Sequence, residues 1–109
     1  MVRHLALDLP LELLVVQEMA SSDLSLLLTD RVDWESFPDY ANAVLRVLGG
    51  TAVERADGPI ERVWTVSIGG ALFWLAHDEV GVSLDSKSPA SSSLIPSIQQ
   101  TLLRHRSGT

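Results

Sequence analysis

His77, Asp78 and Glu79 follow one another in the stretch ALFWLAHDEV, and Arg62 stands in the preceding stretch ERVWTV. These are the residue types in this chain best suited to chemistry. A histidine beside carboxylates can shuttle a proton or hold a divalent metal. The spacing argues against it: adjacent residues in a strand point to opposite faces, so His77 and Asp78 diverge. A strand end leading into a turn accounts for the polar cluster Arg62, His77, Asp78 and Glu79, and a small hydrolase or metal-dependent enzyme built on His77 is the alternative. His4 and His105 have no partner at ligand spacing; His105 suits the negative end of a helix dipole. With no cysteine there is neither a disulfide nor a thiolate site. No bound metal and no cofactor are therefore expected. Ser91, Ser92 and Ser93 lack the turn signature of a serine nucleophile and read as caps. Gly49-Gly50 and Gly69-Gly70 lack the Lys-Ser/Thr sequel of a phosphate loop.

The element that positions His77 is a hairpin, RVWTVSIGGALFWLAH. Gly69-Gly70 fits a two-residue turn with positive φ at both positions. That turn pairs Ile68 with Ala71, Val66 with Phe73, Trp64 with Leu75 and Arg62 with His77, all on one apolar face. Val82 and Leu84 extend this face in the next strand, GVSLD. The other face carries Val63, Leu72 and Trp74 among Glu61, Thr65, Ser67, Ala76 and Asp78. It is too apolar to be plain solvated surface. Either the N-terminal segment folds over it, or Val63, Leu72 and Trp74 meet a partner, for which tryptophan is a favoured anchor.

Around the hairpin, residues 2–9 read as a strand with Arg3, Leu5, Leu7 and Leu9 on one face. Residues 10–20 fit a short helix opened by Pro10, although Val15-Val16 suits a strand as well. LSLLLTD (24–30) is a strand. In SFPDYANAVLRVLGG, Phe37, Tyr40, Ala41, Val44, Leu45 and Leu48 form a helical stripe, with Ser36 as cap, Asp39 as its box partner and Gly49 as the stop. Trp34 braces the entry to this helix. TAVERADG is an outer strand. A last helix starts near Ser88 or near Ser93 and buries Leu94, Ile95, Ile98 and Leu102. Strands in series flanked by helices imply an α+β fold. Residues 1–109 read as one domain: a curved, mostly antiparallel sheet of five to six strands with two main helices on one face.

The totals fit a folded globular chain, 46% hydrophobic and 20% charged. Fourteen acids against eight bases leave a formal charge of −6, which disfavours nucleic acid. The leucine-rich start is interrupted by Asp8, Pro10 and Glu12, so no export signal is expected. No run is long enough to span a membrane. A cytoplasmic location follows from these expectations.

VDWESFPDYANAVLRVLGG, followed by DGPIERVWTVSIGGALFWLAHDEVGVSL, resembles a family of short bacterial proteins described only as a domain of unknown function. The resemblance covers most of the chain after residue 24. It implies bacterial origin and a compact α+β domain, and it supplies no catalytic residues. The expected function is a non-enzymatic protein-binding or adaptor domain, as a homodimer or with another protein, using the sheet face around Trp74.

Overall fold

Gly69 and Gly70 turn the chain at φ of 61° and 80°, in the left-handed region that glycine adopts without strain. The strands they join belong to a six-stranded sheet in a computed structural model that describes residues 9–107. In chain order the strands are β1 (Val15–Glu18), β2 (Leu24–Thr29), β3 (Thr51–Asp57), β4 (Arg62–Ile68), β5 (Ala71–His77) and β6 (Val82–Ser86). Their spatial order is β1-β2-β6-β5-β4-β3, with every neighbouring pair antiparallel. The hairpin register is the one its turn requires: Ile68 opposite Ala71, Trp64 opposite Leu75, Arg62 opposite His77. Helices α1 (Phe37–Leu48), α2 (Pro89–Ser92) and α3 (Ile95–Arg106) complete an α+β domain.

The core lies between the sheet and the helices. Trp64, Val66, Phe73, Leu75, Leu84 and Leu26 point into it from the strands. Phe37, Tyr40, Ala41, Val44 and Leu45 meet them from α1, and Ile95, Ile98 and Leu102 from α3. Phe37 and Trp64 pack edge to face, with ring centroids 5.3 Å apart, a geometry favoured by the ring quadrupoles.

Three local expectations change. Residues 10–20 form no helix. Pro10 to Leu14 run as a strap against the helices, and residues 15–18 are strand β1. The strap is held by the Tyr40 hydroxyl donating to the Pro10 carbonyl (2.7 Å), by Arg106 donating to Leu11 (3.1 Å) and by Gln99 donating to Leu14 (2.8 Å). An unpaired edge of β2 gains a hydrogen-bonded neighbour when Val15 and Val16 extend, and that outweighs their modest helix propensity. Ser36 is already helical and its side chain caps nothing. Asp33 takes over, its Oδ1 accepting from the Ser36 amide at 2.8 Å. At the last helix both proposed starts occur. Ser88 caps α2 in a box with Ser91, and Pro96 falls in the first turn of α3. The strand expected over residues 2–9 lies, but for Leu9, outside the described residues.

Candidate functional site

The helices cover one face of the sheet only. Opposed residues share a face, so the strand registers assemble the other one row by row. One row runs Thr65, Trp74, Asp85, Ser25 and Gln17 across β4, β5, β6, β2 and β1; the next runs Val63, Ala76, Ser83, Leu27 and Val15. Within β5 the contrast is direct. Phe73 and Leu75 are fully buried, while Leu72 and Trp74 are 44% and 41% exposed. Val63 is half-buried. The described N-terminal strap packs on the helix side through Leu11 and Leu14 and leaves Trp74 uncovered.

Polar side chains frame the indole. The Lys87 ammonium sits 4.8 Å from the Trp74 ring centroid, a cation–π distance that restrains both side chains. Asp85, the β6 partner of Trp74, accepts a 2.6 Å hydrogen bond from the Ser25 hydroxyl. Reading the sequence singled out Val63, Leu72 and Trp74 but missed Asp85, Lys87, Ser25 and Gln17. Their part depends on β6 lying between β5 and β2, and only the alternation in GVSLDSK hinted at a side for Asp85 and Lys87.

The polar cluster does not converge. His77 is buried, and its Nε2 lies 2.7 Å from the Val32 carbonyl. A carbonyl only accepts, so Nε2 donates to it, and among the described residues Nδ1 meets no hydrogen-bond partner. Asp78 is exposed and accepts from the amides of Val80 (2.8 Å) and Gly81 (3.2 Å), closing the β5–β6 turn, and Glu79 is exposed beside it. The Arg62 guanidinium carbon sits over the Trp34 ring, 3.7 Å from its centroid; Arg62 also donates to the Trp34 carbonyl and pairs with Asp57 at 3.0 Å. Trp34 in turn donates to Gly58 (2.9 Å), which pins the segment before α1 to the β3–β4 turn. The Trp64 indole N–H, against a weaker upward push from burial, and the Arg62 guanidinium hold the Asp57 carboxyl below the usual carboxylate range. These contacts hold loops to the sheet.

A shallow concavity of about 260 Å³ opens on the uncovered face near Gln17, Leu27, Val80 and Ser83. Its charged groups, Asp78 and Asp85, are already hydrogen-bonded within the chain. Among the described residues no three histidine or acidic side chains gather to hold a metal ion, and no helix is long and apolar enough to cross a membrane.

Neither the curated proteins nor the solved structures include a match to this chain. A family model does match, over residues 14–95, a span that runs from the residue before β1 to the first residue of α3 and takes in the whole sheet with its uncovered face. The chain therefore belongs to the family described as protein of unknown function (DUF3630).

Proposed function

We propose that this protein is a non-catalytic binding module and that the open sheet face around Trp74 is its docking surface for protein. The observation that carries the reading is the one-sided cover of β5, with Leu72 and Trp74 left open in alternation with buried Phe73 and Leu75. An indole brings a large apolar area to a contact at small entropic cost, and tryptophan is enriched among residues that dominate binding energy. Lys87 over the ring lowers that cost further by restraining it. A net charge of −6 favours a protein over a phosphate backbone as partner. A cysteine-free chain suits the reducing cytoplasm of a bacterial cell. An acid–base role for His77 has less support, since its imidazole is buried with Nε2 bound to Val32.

The test is a photo-crosslinking residue at position 72, with the same residue at position 60 as control; Ile60 is 79% exposed and lies outside the strands. In cells producing the protein, position 72 should yield a discrete protein adduct that Trp74→Glu removes without lowering the melting midpoint of the purified chain. Adduct yields no higher at 72 than at 60 would rule the docking surface out.

A further inference from the structure

Arg46 stands in the last turn of α1, and Arg55 in β3, the edge strand that follows it. Both line a concavity of about 300 Å³, together with Asn42, Leu45, Thr51 and Ala52. No acidic side chain lines it, although the chain carries fourteen acids against eight bases. Neither guanidinium makes a hydrogen bond or an ion pair among the described residues. Arg55 lies over the Trp64 ring, 4.6 Å from its centroid. That stack uses the face of the planar group and leaves its in-plane N–H donors open. The acids on these two elements are committed or turned away. Asp57 is held by Arg62 at 3.0 Å and by the Trp64 indole at 2.9 Å. Glu54 pairs with Thr65, on the face opposite to Arg55 and Trp64. Asp39 lies in the first turn of α1, at the far end of the helix. The negative end of α1 is capped as well, since the Leu45 and Arg46 carbonyls accept from the Gly50 and Gly49 amides. From this arrangement we infer that Arg46 and Arg55 hold the phosphate group of a small phosphate monoester.

Charge and size select this ligand class. Two guanidinium groups bring two positive charges, and a phosphate monoester is close to a dianion at neutral pH. Its oxygens accept paired N–H bonds from the guanidinium fork. The concavity exceeds a lone phosphate in size and matches the lower bound of small-ligand sites. Leu45 and Ala52 offer apolar surface, and Asn42 and Thr51 offer polar groups, to the organic body attached to the phosphate. A nucleic-acid strand fits poorly, because its further phosphates would meet a chain of formal charge −6. The site lies on the side of β3 that faces Trp64 and the helices, so it is separate from the docking face around Trp74.

The test is a nuclear magnetic resonance titration of the isotope-labelled chain at constant ionic strength, with glucose 6-phosphate and inorganic phosphate as probes. The amides of Gly50, Thr51 and Ala52 should shift saturably with either probe, with dissociation constants in the millimolar range for so open a site. Arg46→Gln should weaken binding at least about tenfold, the loss expected for a charge-assisted pair. Arg46 is exposed and makes no hydrogen bond through its side chain, so this variant keeps the fold. Arg55→Gln should weaken binding as much; it also disturbs the Trp64 stack, which makes Arg46→Gln the deciding variant. Arg31 is exposed and outside the concavity, and Arg31→Gln should leave the affinity unchanged. Succinate, a dianion without phosphorus, should bind more weakly than either phosphate. Three results would each overturn the inference: no saturable shift at tens of millimolar of either phosphate, equal weakening by Arg31→Gln and Arg46→Gln, or succinate binding as tightly as the phosphates.

Discussion

Trp64 and Trp74 stand on adjacent strands of one hairpin and face opposite ways, so the same truncation should give two outcomes. Trp64 is 2% exposed, packs against Phe37 and donates to Asp57 at 2.9 Å. Trp64→Ala should cost roughly 3–5 kcal/mol in denaturant melts, the range for emptying a large aromatic site in a core. Trp74→Ala loses cross-strand contact with Thr65 and Asp85 and should cost about 1 kcal/mol or less. Equal, severe losses would place Trp74 in a core too. Glu12 allows a pH test. Burial pushes its carboxyl up, but the Asp30 amide and the Thr29 hydroxyl outweigh that and hold it at about 2, against an ordinary 4.5. A depressed carboxylate stabilises the fold above its unfolded value and loses that contribution as pH falls through its folded value. The loss should therefore run between pH 4.5 and about 2. Glu12 is exposed, so after screening by solvent the contribution is on the order of 1 kcal/mol. Melts of the wild type and Glu12→Gln should converge across that window; parallel curves would contradict it.

Among the elements, α1 was legible because a stripe at helical spacing specifies a buried face whatever it packs on, and Gly49 ends it at φ 68°. Its cap was not. Asp33 lies before a turn whose closure depends on Trp34 docking at Gly58. Asp33→Ala should lower the melting temperature while Ser36→Ala leaves it nearly unchanged; the reverse order would restore Ser36 as the cap. The step from α1 into β3 depends on Gly50, where an added Cβ would lie 2.8 Å from both Ile68 Cγ1 and the Ser67 carbonyl oxygen. Gly50→Ala should destabilise by about 1–3 kcal/mol, since backbone stands in the way. A neutral result in chemical denaturation would show that the strand can shift.

At the scale of the molecule, β5 and β6 hold the middle of the sheet with a paired strand on each side, while β1 has four residues and one neighbour. Native-state hydrogen exchange should find the slowest amides in β5 and β6 and the fastest strand amides in β1. Uniform protection would mean that the sheet opens only as a whole. The segment before α1 should behave as part of the core. Its ties are the Arg62–Trp34 stack, the Trp34–Gly58 bond and the His77–Val32 bond. Arg62→Lys keeps the charge but loses the planar group that lies on the indole, and it should speed exchange in residues 30–36.

Whatever short-range geometry controls was already legible in the order of the residues. A Gly-Gly turn sets the hairpin register, and alternation within β4 and β5 then puts Trp64 and Trp74 on opposite faces before any other contact is known. The same alternation separates His77 from Asp78. Long-range pairing settled the rest. Val15 and Val16 became a strand because β2 had an edge to satisfy. Arg62 became a brace because the segment after β2 brings Trp34 beneath it. Asp85 and Lys87 came to flank Trp74 because β6 is inserted between β5 and β2. Local spacing fixes which side of a strand a residue takes, but its neighbours across the sheet depend on strand order, which is set by the free energy of closing the whole core.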